Sequence, residues 1–214
     1  MMRRHFLNRF LHLAAGSVAA WLLAGAVPAH AGDLLGDVAG RLADAPVIHG
    51  QFEQTRKLAG FSNPLVSRGD FVLARGRGVV WSTREPFPSS LLVSPDRLVM
   101  RGADGKVQQQ MQADSQPAMR VVGESMIAVL RGDLRSLQTR FDVAGKLVGK
   151  AGWALTLTPR DAGMRRVFTR IELAGDRFVR DVRLEEGSGD STVVRMIDPS
   201  AASRLTPAEE QRFE

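Results

Sequence analysis

Apolar and polar residues alternate in a series of short segments along most of this chain. Between residues 48 and 100 the alternation is broken by Gly76-Arg77-Gly78, where two glycines tolerate the positive φ that a tight hairpin requires. Asp104-Gly105 gives a second strong hairpin signal. Extended segments with turns between them return from residue 153 onward. The pattern therefore predicts a protein built mainly from hairpin-connected antiparallel strands.

Helical spacing appears at a few places between these strands. Leucines and a valine in residues 33–45 recur on one helical face, and Pro46 ends that segment. The sequence predicts a short apolar helix at residues 126–130 and another helical turn that contains Leu134 and Leu137. We expect these helices to be short additions to a mainly β fold.

These elements predict one sheet of about nine to eleven strands, a size at which a sheet tends to curl. Residues 206–209 add a helix start, with a threonine N-cap, proline at the first helical position and an acid at the third. With helices covering one face, we expect a half-closed antiparallel β-barrel around an apolar cavity. Residues 32–214 suit a single domain.

The first 31 residues differ from the rest of the chain in composition. A basic start with Arg3, Arg4 and Arg9 precedes an apolar run, and Ala29-His30-Ala31 ends the segment as a cleavage signal. This pattern predicts a cleaved signal peptide and export to the periplasm, with a retained membrane anchor as the alternative. Arg3-Arg4 also fits a twin-arginine export signal, so the export route stays open.

Composition excludes several classes of function. The chain has no cysteine, so it forms no disulfide, no thiolate metal site and no lipid-modified cysteine. Without the three arginines of the predicted signal, the formal charge falls from +6 to +3. Basic and acidic residues are interspersed, which is typical of a solvated strand face and does not indicate nucleic-acid binding.

Catalytic chemistry has little support in the sequence. His49 is the single histidine outside the first 31 residues, and tyrosine is absent. One histidine cannot build a multi-histidine metal site, and no nucleophile-elbow sequence lies near it. We therefore expect no enzymatic activity, no metal and no cofactor, and we expect His49 to be a strand surface residue.

The candidate site is instead an apolar face. If strand alternation holds, side chains from adjacent strands point to one side, where they line a cavity or simply form core packed against the helix at residues 126–130. The candidate ligand-binding residues are Phe52, Phe71, Leu73, Arg75, Val79, Trp81, Leu91, Val93, Met126, Ile127 and Leu130.

Arg75 is the unusual member of this set. Its position places a guanidinium on the same strand face as Phe71 and Leu73. A buried unpaired arginine is costly, so we expect it to bond helix-end carbonyls or an acid across the interior. The alternative is a strand-end arginine whose head reaches water.

Four short motifs lie between residues 52 and 96: Phe-x-Gln from Phe52, Gly-Asp-Phe from Gly69, Trp-x-x-x-x-Pro from Trp81, and Leu-Val-Ser from Leu92. Together they resemble the LolA family of periplasmic lipoprotein carriers. The resemblance implies an incomplete barrel with a helical lid and a cavity for acyl chains. It also implies that Arg75 bonds the lid and that Val79 lies at the cavity.

The resemblance further implies a monomeric periplasmic carrier that moves acylated lipoproteins, or another acylated lipid, from the inner to the outer membrane. Its partners would be an inner-membrane ABC transporter or other lipid exporter, and an outer-membrane receptor. The chain departs from the family pattern at Gly76, where proline is usual, and at Val79, where a larger side chain is usual. Alternatives are an accessory to a non-lipoprotein lipid exporter and a periplasmic sensor or interaction module.

Overall fold

The computed structural model describes residues 34–112, 127–128 and 133–214. In this part of the chain, eleven strands form one antiparallel sheet accompanied by four short helices. The helices are α1 (Leu34–Arg41), α2 (Leu134–Leu137), α3 (Ala162–Val167) and α4 (Pro207–Gln211). The strands are β1 (Val47–Lys57), β2 (Leu65–Ala74), β3 (Gly78–Glu85), β4 (Ser89–Val93), β5 (Arg97–Arg101), β6 (Val107–Gln112), β7 (Phe141–Val148), β8 (Gly152–Pro159), β9 (Phe168–Gly175), β10 (Val179–Glu186) and β11 (Ser191–Ala202).

The strand order explains why the barrel is incomplete. It runs β6-β5-β4-β3-β2-β1-β11-β10-β9-β8-β7, so the first and last strands pair in the middle of the sheet. Strands β6 and β7, consecutive in sequence, form its two opposite edges. The predicted half-closed antiparallel barrel, mainly β with short helices, is confirmed.

The two predicted hairpin turns are present. Gly76 and Gly78 have φ values of 80° and 117°, and a Cβ on Gly78 would overlap the carbonyl oxygen of Val93 on the neighbouring strand. Gly105 also has positive φ, and the Lys106 N–H donates to the Asp104 carboxylate at 3.1 Å. Glycine is therefore required at Gly78 both by backbone conformation and by the closeness of β4.

Three local expectations were wrong. Strand β7 was missed because only Phe141 of its eight residues is buried, which leaves little alternation to detect. The connection between β8 and β9, where only a turn was expected, contains α3, and the Asp161 carboxylate caps this helix by accepting from Met164 N–H at 3.0 Å. Helix α1 ends at Arg41, since the Ala43 N–H donates to Arg177 O at 2.8 Å instead of continuing the helix.

Both faces of the sheet carry buried apolar side chains. On the concave face, α1 and α2 pack over β7, β8 and β9, and a second cluster lies over β1, β2, β3 and β11. On the convex face, Phe213 is 6% exposed and packs with strand residues. These convex residues are Val47, Val72, Ala74, Val80, Leu92 and Val99. Phe213 lies beyond α4, so the convex face is covered by the segment after that helix and not by the helix itself.

The chain end after α4 is held on the convex face by polar contacts. Arg212 Nη2 donates to Asp70 Oδ2 at 2.6 Å and to Ser82 Oγ at 2.7 Å. The predicted capping box is present, with the Thr206 hydroxyl accepting from Glu209 N–H and the Glu209 carboxylate accepting from Thr206 N–H. His49 Nδ1 lies 3.4 Å from Glu209 Oε1, so this histidine faces α4 on the convex side.

Candidate functional site

The strand register brings the candidate apolar residues onto the concave face. Across β2 and β3, Phe71 lies opposite Trp81 and Leu73 lies opposite Val79. Across β3 and β4, Trp81 lies opposite Leu91 and Val79 lies opposite Val93. Side chains opposite one another in adjacent strands project to the same face, so all of these residues share one surface.

Most of this surface is buried in the molecule's own core. Phe52, Phe71, Leu73 and Val79 are each at most 3% exposed, and they form one cluster with Ile127. Trp81 is half-buried against the same cluster. The candidate residues are therefore packed together rather than arranged around a wide empty space.

The remaining candidate residues lie outside this buried cluster or outside the described part of the chain. Leu91 is half-buried and Val93 is buried, but neither belongs to the cluster around Phe71. Met126 and Leu130 lie outside the residues that the structure describes.

Aromatic rings lie flat against glycines on this concave face. Phe52 stacks on Trp81 with a centroid distance of 3.9 Å and an interplanar angle of 25°. Gly69 lies beneath this stack, since a Cβ there would stand 2.8 Å from the Phe52 ring and would also overlap the Ser82 carbonyl oxygen. In the same way, a Cβ on Gly50 would be 3.0 Å from the Phe71 ring. The missing side chains let the rings of Phe52 and Phe71 lie against the sheet.

Arg75 bonds the segment between α1 and β1. Its Nη2 donates to Asp44 Oδ1 and, at 3.5 Å, to Ala45 O. Its backbone N–H donates to Pro46 O at 2.8 Å, and its side chain is 49% exposed. Arg75 therefore pairs with an exposed acid at a solvated rim where β2 has just ended, which fits the alternative of a strand-end arginine whose head reaches water and not a bond across the interior.

A narrow cleft opens at this same end of the sheet, between the end of α1 and the turn between β9 and β10. The space enclosed in it amounts to about one water molecule, so the cleft is a narrow crevice and not a preformed ligand pocket. The lining is mainly apolar: Leu42, Ala43, Ile48, Phe71, Arg177, Phe178, Val179, Met196 and Pro199. Among the candidate residues that the structure describes, Phe71 alone reaches the cleft.

The turn between β9 and β10 holds Phe178 over the cleft. The Asp176 carboxylate accepts from Phe178 N–H at 3.0 Å and from Arg180 Nε at 3.1 Å. Its backbone carbonyl accepts from Trp153 Nε1 at 2.7 Å. Partial burial acts to raise the pKa of Asp176, but the Phe178 N–H and the Arg180 guanidinium outweigh it and lower the pKa below its usual value. The ionised carboxylate therefore stabilises the turn.

Asp176→Asn is expected to lower the free energy of unfolding at neutral pH by about 0.5–1 kcal/mol, because the amide keeps an acceptor but loses the ion pair with Arg180. The folded-state pKa is lowered, so the wild-type contribution is present above the ordinary aspartate pKa and is lost as the pH falls through the folded value. Urea unfolding of both proteins should therefore converge below about pH 4. Asp181→Asn is the control, since that exposed carboxylate lies 3.8 Å from Arg195. A difference from wild type that persists unchanged into acid would contradict this role.

Sequence reasoning missed the part of the site that is formed by elements far apart in sequence. Ile48 and Met196 line the cleft together with Pro199, and Ile48 and Met196 are buried with the predicted cluster. The pairing of Phe52 with Met196 shows that β1 and β11 share this face. Alternation along β11, with Val194 and Met196 on the concave side, was the signal that could have identified it.

Catalytic groups do not converge on the cleft. In the described residues, no group of three or more histidine, aspartate or glutamate side chains is placed to hold a metal ion. His49 faces the convex side, away from the cleft residues. Within the described ranges, the cleft offers a mainly apolar lining and no acid–base or nucleophilic constellation.

No helix in the described part of the chain is long and apolar enough to span a membrane.

Residues 43–209 match the family described as outer membrane lipoprotein carrier protein LolA. The match covers well over half of the chain, so this protein belongs to the LolA family. It begins at the cleft residue Ala43 and ends at Glu209 in α4. None of the curated proteins compared matches the sequence.

Solved structures with a similar course of the chain share little sequence with it. A LolA superfamily protein from Nitrosomonas europaea is 10% identical with a TM-score of 0.45, covering 84% of this chain and 96% of its own. A DUF1329 family protein from Desulfovibrio piger is 13% identical with a TM-score of 0.49, covering 85% and 95%. The MucA/MucB complex from Pseudomonas aeruginosa gives 17% identity and a TM-score of 0.45, covering 83% of this chain and 60% of the other.

Proposed function

We propose that this protein is a periplasmic carrier that binds the acyl chains of lipoproteins, or of another acylated lipid, and moves them from the inner to the outer membrane. The observation that carries the proposal is the apolar cleft at the end of α1, which continues into the buried concave face through Ile48, Phe71 and Met196. Membership of a lipoprotein carrier family supports it. An inner-membrane ABC transporter or other lipid exporter would load the carrier, and an outer-membrane receptor would unload it.

Binding requires no chemical step. An acyl chain enters the cleft beside Phe178 and Leu42, and each methylene that it buries contributes about 0.8 kcal/mol. The cleft is narrow, so an acyl chain must displace side chains of the concave cluster as it enters. That displacement opposes binding and keeps the affinity moderate, which is what a carrier needs in order to release its cargo.

The first experiment is native mass spectrometry of the protein isolated from the cell that makes it, with extraction and identification of bound molecules. A bound triacylated lipoprotein supports the carrier function and identifies the cargo. A different acylated lipid supports an accessory to another lipid exporter. An empty protein that also fails to bind a fluorescent fatty-acid probe overturns acyl binding and favours a sensor or interaction module.

Arg75→Leu is expected to speed release of a bound acyl probe by about twofold to fivefold, since the lost contact with Asp44 is an exposed ion pair worth about 0.2–1 kcal/mol. The same change should make the segment between α1 and β1 more sensitive to protease, because Arg75 bonds Asp44 and Ala45 there. Stopped-flow release and limited proteolysis measure the two effects. Arg84→Leu is the control, since Arg84 pairs with Asp70 away from the cleft. Release rates that stay equal in both variants would remove Arg75 from the mechanism.

A further inference from the structure

Two phenylalanines in loops have solvent-exposed side chains. Phe87 is 81% exposed and Phe61 is 73% exposed, although both are large apolar rings that normally gain free energy by burial. Leu65 at the start of β2 and Val107 at the start of β6 are also exposed, at 56% and 51%. So much apolar surface at strand ends indicates an interaction site.

The sheet topology places these residues at one end of the molecule. Phe61 is in the loop before β2 and Phe87 is in the loop after β3. Strands β2 and β3 are antiparallel neighbours with Arg68 opposite Glu85, so both loops leave the sheet at the same end. Neighbouring strands are about 4.8 Å apart, and the two loops are therefore adjacent. We call this part of the molecule the loop end; the cleft and Arg75 lie at the opposite end.

Most acidic side chains at the loop end are already paired, whereas Glu185, exposed at the end of β10, and Asp161, which caps α3, make no ion pair within the described residues. Arg56 Nη2 lies 3.3 Å from Glu186 and 3.2 Å from Asp190. Arg68 lies 3.7 Å from Glu85, and Lys106 lies 3.4 Å from Asp104. These pairs neutralise the carboxylates closest to the exposed rings.

Several basic side chains at the loop end, Lys57 and Arg166 among them, have no such partner within the described residues. Both of these side chains are exposed. Lys57 ends β1 opposite Ser191, and Gly187 N–H donates to Val167 O beside Arg166 at 3.1 Å. The Ala59 N–H also donates to Asp190 at 2.9 Å, which joins the β1–β2 loop to the turn between β10 and β11. Unpaired positive charge therefore stands next to Phe61.

We propose that the loop end docks on the surface of an anionic lipid bilayer. The rings of Phe61 and Phe87 enter the interfacial region, where apolar loop residues gain by burial, and Lys57 and Arg166 face the lipid phosphates. Apolar rings beside unpaired cations fit an anionic membrane surface. In this orientation the cleft points away from the bilayer and stays accessible to a protein partner. Docking does not depend on whether the cleft binds acyl chains.

The test uses a fluorescent label on a single introduced cysteine, since the chain has none of its own. Ser62→Cys places an environment-sensitive dye in the β1–β2 loop, and Lys150→Cys places it in the β7–β8 hairpin at the opposite end; both positions are exposed. Each labelled protein is mixed with vesicles of phosphatidylglycerol and phosphatidylethanolamine, and with vesicles of phosphatidylcholine. Both proteins carry identical residues 1–33, so any difference between them comes from the position of the label.

We expect a blue-shifted emission from the Ser62→Cys label with the anionic vesicles, weaker with phosphatidylcholine and weaker at high salt, and no shift from the Lys150→Cys label. Adding Phe61→Ser and Phe87→Ser to the Ser62→Cys chain should weaken partition by at least about tenfold. Equal shifts from both labels, or no shift from Ser62→Cys, would overturn the proposal. A shift without vesicles that grows with protein concentration would also overturn it, because it would show self-association through the loop end.

Discussion

Gly69→Ala is expected to lower the free energy of unfolding by about 3 kcal/mol or more, at the upper end of the range for overpacking. The added methyl group has no room, because it would overlap the Ser82 carbonyl oxygen and stand 2.8 Å from the Phe52 ring. Relief of the overlap with Ser82 requires β2 to move away from β3, and the Phe52 ring must also shift from its stack on Trp81. Both movements break contacts in the centre of the sheet.

Gly40→Ala is the matched control for this substitution. Gly40 lies in α1 without positive φ, and a methyl group added there would meet no packed neighbour within 4 Å. Alanine should therefore stabilise the helix by about 0.5–1 kcal/mol. Urea unfolding monitored by tryptophan fluorescence measures both proteins. A loss of less than about 1 kcal/mol in Gly69→Ala would show that the sheet adapts without breaking the stack.

Ala43→Trp is expected to weaken binding of a fluorescent acyl probe by at least about tenfold, which corresponds to about 1.4 kcal/mol of lost binding free energy. Ala43 is half-buried in the lining of the cleft beside Leu42 and Phe178. An indole ring at this position fills the space that the proposed function assigns to an acyl chain. The backbone bond from Ala43 N–H to Arg177 O does not involve the side chain, so the local fold should remain.

Ala103→Trp provides the control, because Ala103 is exposed in the turn between β5 and β6 and lies far from the cleft in the sheet. Probe titration and unfolding midpoints should be measured on both variants. Weaker binding in Ala43→Trp alone, with an unchanged midpoint, supports the cleft as the acyl site. Equal probe affinity in both variants would place acyl binding elsewhere or exclude it.

Much of this fold could be predicted from local sequence signals. The hairpins at Gly76 and Gly105 require positive φ, and glycine in such a turn is detectable without knowing the rest of the fold. Alternation along β2 and β3 correctly placed Phe71 and Trp81 on one face. Signals of this kind depend on neighbouring residues, which a sequence displays directly.

The rest depends on contacts between distant segments. The covering of the convex face by Phe213 joins the chain end to β1 through β5, and no local pattern specifies that docking. The cleft likewise forms where α1, β1 and β11 meet the turn before β10. Strand β7 escaped detection because an edge strand with most side chains in water lacks the apolar alternation of a buried one.

The strand order has a consequence for how the chain folds. Apart from the pair β1 and β11, all strands that are hydrogen-bonded neighbours in the sheet are also consecutive in sequence. Strands β1 through β6 and strands β7 through β11 can therefore each form by successive local hairpins. The pairing of Val47 with Ala202 joins two strands that are far apart in sequence. Forming it closes the longest loop in the sheet and therefore has the largest loop-closure entropy cost. The fold thus consists of two locally assembled halves that join through one slow, long-range strand pairing.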